Sequence, residues 1–223
     1  HSEIKGASMA KRIFLSLISI LLVSAYGAAQ QAHVIYVDDP SEAAATDVSG
    51  DSIVIAVGSR IEPGTRIVTH ETSVELRVQP TGSLIKIAPA TTFSIDSIDV
   101  PTTSDGSPGS VEHAFSLAAG KIRAVAATSR GHSYTIRTPT AVAGVRGTDF
   151  AQKAAEGQTD WVCVLEGTVS FTRTSDNRTI SVTGGQFADT YDEEFATGTV
   201  PQERIDDIFG AVQFGTADPE RVK

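Results

Sequence analysis

The chain has one cysteine among its 223 residues, Cys163, so no internal disulfide can brace it. Its stability has to come from a core and from backbone ladders. Aromatic residues are scarce at 6%, with a single tryptophan, which argues against a stacking platform for single-stranded nucleic acid. Positive charge is also short: 18 Lys and Arg stand against 27 Asp and Glu, a formal charge of −9. The basic residues are scattered singly, and phosphate binding draws on clusters of them, so no nucleic-acid partner is expected. Apolar runs long enough to span a bilayer are missing as well. The longest, "IFLSLISILLV" at 13–23, falls short of the roughly 20 residues a spanning helix needs. What remains is 40% hydrophobic with a mean hydropathy of −0.02, the composition of ordinary globular material.

Catalytic and metal-binding patterns are equally thin. His1, His33, His70, His113 and His132 show none of the short spacings of a zinc site. There is no G-x-S-x-G elbow, phosphate-cradling glycine loop or EF-hand spacing. "DDP" at 38–40 and "DEE" at 192–194 read as solvated surface rather than calcium ligands. Asp149, Asp160 and Glu166 are the nearest candidates for the paired carboxylates of a glycan-cleaving enzyme, and sequence does not bring them together. Cys163 alternates with Trp161 and Leu165 in "WVCVL", which suits a small buried apolar residue better than a nucleophile. The expectation is a chain that is not an enzyme and needs no cofactor.

The N-terminal region reads as a leader. Met9-Ala10-Lys11-Arg12 precedes the apolar run, and the small residues of "SAYGAAQQA" follow it, with Ala29 a plausible last residue. This assigns 1–8 to an upstream extension, 9–29 to a signal peptide and 30–50, with "DDPSEAAATDVSGD", to a linker. The product is expected to be exported to the periplasm or cell surface, with membrane contact only through an uncleaved leader.

Beyond the leader the pattern is all-β. Short runs rich in Val, Ile, Thr and Phe recur between Gly, Pro, Asp and Ser: "SIVIAV", "SVELRV", "SLIKIA", "YTIRT", "WVCVL" and "TVSFTR". Glycines followed within three residues by an apolar one stand at 64, 82, 120, 147, 167 and 185, at intervals of 18, 38, 27, 20 and 18. That rhythm predicts a β-solenoid-like stack of short strands turning at glycines, although a sandwich would show a similar strand density. "DSIDVPTTSDGSPGSVE" at 96–112 reads as a long loop insertion, and "KAAEGQTD" at 153–160 as a tight connection. "PQERIDDIFGAV" predicts a short C-terminal helix with Ile205, Ile208 and Phe209 on one face.

The run of "GSRIEPGTRI", "PATTF", "LAAGKIR", "TPTAVAGVRGTDF" and "LEGTV", in that order, resembles the FecR domain. The resemblance covers roughly 51–189, which places a FecR-like β domain at 51–192 and leaves 193–223 as a tail with the short helix. It implies a periplasmic β-solenoid-like domain of regulators that relay occupancy of an outer-membrane transporter to a sigma factor. Only Met9 to Arg12 precede the leader here, and 34 residues follow Asp189, so the expectation is a stand-alone exported module rather than a transmembrane relay. Its partner would be an unidentified envelope protein or polymer. A self-associating scaffold, a homo-oligomer, is the second reading.

Within the signature run, Thr138, Pro139, Gly144, Arg146, Gly147, Thr148, Asp149 and Phe150 are expected to be structural. Pro139 fixes φ at a corner after Thr138, and small residues up to Gly144 admit a neighbouring backbone. Arg146 and Asp149 are expected to pair across Gly147.

Overall fold

The computed structural model describes residues 30–99, 109–128, 132–155, 159–210 and 212–215; the leader expected at 9–29 and the extension at 1–8 lie outside the described residues. The all-β expectation and the C-terminal helix hold: 53% of the described residues are strand and 7% helix. No described helix is long and apolar enough to cross a membrane.

The seventeen described strands run β1 (Ala32–Val37), β2 (Ala43–Thr46), β3 (Ser52–Ile53), β4 (Arg60–Ile61), β5 (Arg66–Thr69), β6 (Val74–Val78), β7 (Ser83–Ile87), β8 (Thr91–Asp99) and β9 (Glu112–Val125). They continue with β10 (Ser133–Arg137), β11 (Ala141–Val145), β12 (Asp149–Ala154), β13 (Trp161–Glu166), β14 (Thr168–Arg173), β15 (Thr179–Thr183), β16 (Gln186–Asp189) and β17 (Gly198–Thr199). A single helix, α1 (Gln202–Gly210), follows.

The strands form two open sheets that share β9. Sheet A has the order β4-β1-β6-β7-β9-β12-β13-β16-β17. Sheet B has the order β3-β2-β5-β8-β9-β10-β11-β14-β15. Every pairing is antiparallel except β9 with β10. The chain passes repeatedly from one sheet to the other, so neighbouring strands in each sheet come from successive passes. Their inward faces close a continuous core that includes Leu76, Ile85, Phe93, Phe115, Ile122, Phe150, Val162 and Phe171. Alternation along β8 and β14 follows from one face meeting that core while the other meets water.

Glycine marks the passes. All six positions picked out by spacing have positive φ, from +57° to +96°. Five of them lie where the chain changes sheet; Gly82 turns the β6–β7 hairpin within sheet A. Gly120 shows the requirement most plainly. It bends β9 from sheet B into sheet A, and a Cβ there would stand 2.5 Å from Thr91 Cα and 2.7 Å from the Ala90 carbonyl oxygen. Only glycine fits both that φ and that approach.

Two expectations are corrected. Residues 30–50, read as a linker, contain β1, a short 3₁₀ turn at Pro40–Glu42 and β2. β1 is inserted between β4 and β6, with Ala32 and Val34 buried, so the stretch is part of the sheets. Its Asp, Pro and Ser residues suggested a flexible segment, but Asp39 caps the 3₁₀ turn by accepting from Ser41 N–H. The stretch 96–112, read as a loop, begins as strand: Ile98 pairs with His113 and Asp99 with Glu112 in a β8–β9 hairpin.

A groove around Trp161 beside the C-terminal helix

The signature run spans a hairpin and a crossing. Thr138 to Ala141 form the turn between β10 and β11, closed by Thr138 N–H donating to the Ala141 carbonyl at 2.9 Å. Pro139 therefore serves a turn inside sheet B rather than a corner between sheets. Ala141 and Ala143 point into the core, and Phe150 is fully buried there. Gly144 faces outward, where a Cβ would meet Ser170 Cβ at an ordinary 3.6 Å, so close approach does not require it.

The crossing itself lies at Arg146-Gly147-Thr148. Buried Thr148 ties it to the next crossing: its Oγ1 donates to the Thr168 carbonyl at 3.0 Å and accepts from Thr168 N–H at 3.3 Å. Gly167 allows the two to touch, since a Cβ there would lie 2.7 Å from the Gly147 carbonyl oxygen. Thr69 does the same between other passes, donating to the Ala88 carbonyl at 2.7 Å and accepting from Thr91 N–H at 3.0 Å. Of these corner threonines, Thr148 is expected to be structural as part of the signature run, whereas Thr69 is not singled out by the sequence. The Gly-Thr pair at 147–148 marks the first, and Thr69, which follows Val68, carries no such signal.

Arg146 and Asp149 do not pair. Asp149 is held by Arg123 through two bonds, Nε to Oδ1 at 2.9 Å and Nη2 to Oδ2 at 2.8 Å. Register is the reason: Ala151 stands opposite Arg123 on β9, so Asp149, two residues earlier on the same face, is its diagonal neighbour. Arg146 lies exposed at the start of the crossing.

That ion pair belongs to a row across the outer face of sheet A. Tyr36, Glu75, Lys86, Arg123, Ala151, Cys163 and Phe187 stand opposite one another, strand by strand. Lys86 Nζ donates to Glu75 at 3.1 Å and lies 4.9 Å above the Tyr36 ring. The C-terminal segment covers this row. Ile205 and Phe209 of α1, together with Val212, bury Ala88, Ala151 and Cys163. Phe209 and Phe214 flank the Arg123 guanidinium at 5.2 and 5.3 Å, and Gly215 N–H donates to Glu75.

The cover is incomplete. A cleft of about 480 Å³ remains between α1 and the sheet, with Trp161, Cys163 and Phe187 on one wall and Val200, Arg204 and Ile208 on the other. Trp161 also borders a second, more open groove of about 740 Å³ that includes Thr140, Lys153, Arg173, Thr190 and Tyr191. Beneath this groove lies Asp160, fully buried. Its Oδ2 accepts from Thr140 N–H at 2.8 Å and Thr140 Oγ1 at 2.6 Å, and its own N–H donates to Thr190 Oγ1 at 3.2 Å. One residue of the signature run, Thr140, thus reaches the groove floor.

The candidate acids do not gather into a reactive pair. Asp149 is engaged by Arg123 and Asp160 by the threonines, at opposite ends of the β12–β13 pairing; Glu166, opposite Asp149, is exposed. Cys163 is fully buried, and desolvation pushes its thiol up to about 11, so it stays protonated at neutral pH. His113 lies in the core between Tyr134 and Phe115, with ring centroids at 4.7 and 6.0 Å. Burial, reinforced by His132 and opposed by Asp99, lowers it to about 4. No group of three or more His, Cys, Asp or Glu among the described residues could hold a metal.

Comparison with known proteins adds the family. Two crystal structures of a candidate anti-sigma factor from Parabacteroides distasonis, at 1.65 and 2.50 Å resolution, are similar to this chain. Each shows a TM-score of 0.49 and 16% identity over 62% of this chain; the alignment spans 60% of theirs. No curated protein matches. Residues 65–170 match the family model described as FecR protein, from the crossing before β5 to the middle of β14, with the whole signature run inside, so this stretch of the chain is similar to the FecR domain.

Proposed function

We propose that this chain is a non-catalytic sensing or interaction module of the cell envelope, exported by its leader, which binds an envelope protein or polymer at Trp161. We read its alternating passes as a flattened, antiparallel form of the β-solenoid expected from the glycine rhythm. The observation that carries the function is the groove on either side of Trp161. It is a broad concave surface near the family signature, it combines apolar walls with fixed polar groups, and of the candidate acids Asp149 is ion-paired with Arg123 and Asp160 is hydrogen-bonded by Thr140. Such a surface can hold a ligand and lacks an activated nucleophile or a free acid–base pair.

The test is binding of fractionated cell envelope to the immobilised chain, compared with Trp161→Ala. Retention that depends on Trp161 is the expected outcome. Retention indifferent to Trp161, or hydrolysis of a retained polymer, would count against the assignment.

One observation favours self-association as a second reading. Among the described strands β15 pairs only with β14, and its sequence "TISVT" is uncharged and free of proline. Arg173 N–H donates to the Arg178 carbonyl, so by alternation Thr179 and Ser181 turn their backbone groups to the open edge. Light scattering across concentrations, with Ser181→Pro as the blocked edge, distinguishes a monomer from an edge-paired dimer.

A further inference from the structure

We propose that the open groove beside Trp161 binds a glycan chain, an assignment that rests on reading Trp161 as the centre of the binding surface. A sugar ring presents an apolar C–H face and a rim of hydroxyls. The groove offers the complement of both. Trp161 and Tyr191 line it with two aromatic rings, and Tyr191 is 84% exposed. Aromatic side chains of this kind give broad apolar contact at low entropic cost.

The polar lining consists of short hydroxyls: Thr140, Thr159, Thr174, Ser175 and Thr190. Two of these are fixed in advance. Buried Asp160 holds Thr140, and Thr140 Oγ1 lies 2.9 Å from Thr190 Oγ1, so the pair enters the groove floor already oriented. Pre-organised groups of this kind lose little freedom when a ligand arrives.

Charge discriminates between ligand classes. Arg173 is committed to Asp176 and to the Asp192 carbonyl, which leaves Lys153 as the cation of the lining with no ion pair among the described residues. One lysine is too little for a polyphosphate chain. The hydroxyl rows do not suit an acyl chain, which needs a dry apolar wall. A saccharide satisfies rings, hydroxyls and the single ammonium together.

Calorimetry and Trp161 emission on titration of the full chain with chitohexaose, cellohexaose and oligogalacturonate hexamer test this; the chain has one tryptophan, so the emission reports one place. At least one sugar should bind saturably and shift the emission. Tyr191→Ala should weaken that sugar about tenfold, the worth of one stacked ring, with melting unchanged. Lys153→Ala should weaken only the carboxylated hexamer. Silence from all three sugars, or wild-type binding by Tyr191→Ala, overturns the glycan assignment. If an envelope protein fraction still shifts the emission when the sugars fail, the glycan is wrong and the Trp161 surface stands; if neither does, both fall.

Discussion

At the scale of single residues, the signature run divides into positions the fold needs and positions it does not. Gly167 carries φ +90° against the Gly147 carbonyl, so Gly167→Ala should cost at least about 2 kcal/mol in urea unfolding, through left-handed strain and a backbone clash. Gly144→Ala has room and should stay within about 0.5 kcal/mol of wild type. The Arg123–Asp149 pair is nearly buried, at 11% and 2% exposure. Asp149→Ala should lose about 3 kcal/mol because it strands a guanidinium, whereas Arg146→Ala should change little. His113 adds a pH signature. Its folded value of about 4 lies below its ordinary 6.5, so between those limits the unfolded chain binds the extra proton. Stability should fall as pH drops through that window, by up to about 3 kcal/mol, and His113→Phe should flatten the dependence. Sequence exposed the glycines because their spacing is a one-dimensional signal. It missed the true partner of Asp149, because Arg123 is 26 residues away and only strand register makes them neighbours. Proximity along the chain had favoured Arg146 instead.

At the scale of elements, the C-terminal segment is a cover over a charged sheet face. The Glu75, Lys86, Arg123 and Asp149 side chains form two ion pairs under α1, Phe214 and Gly215, while the main core lies on the other side of the sheet. Helix docking and sheet folding should therefore be separable. Phe209→Ala removes a ring that is 6% exposed and should loosen the docking by about 3 kcal/mol. Hydrogen exchange should then rise across 202–210 while β6, β7 and β9 keep their protection. The helix was legible from Ile205, Ile208 and Phe209 sharing a face. Its docking place was not, because the strand residues it covers are partly charged and read as solvated. The same composition bias hid β1 and β2 within "DDPSEAAATDVSGD" and its flank: short strands beside Asp, Pro and Ser carry too little periodicity to stand out.

At the scale of the whole molecule, the alternating apolar runs and turn glycines made an all-β architecture readable. The two-sheet path was not, since spacing gives the length of each pass and says nothing of which sheet receives it. The groove was less legible still. Trp161, Lys153, Thr140 and Tyr191 come from β13, β12, the β10–β11 turn and the segment after β16, and only the folded sheets gather them. The central claim is that this gathered surface, rather than any reactive group, is what the module uses. Its most direct test is Trp161 emission while the full chain is titrated with solubilised cell envelope. We predict a saturable shift that Tyr191→Ala diminishes without changing the melting temperature. An emission that stays constant while the chain demonstrably binds envelope material would contradict the account and move the binding surface elsewhere.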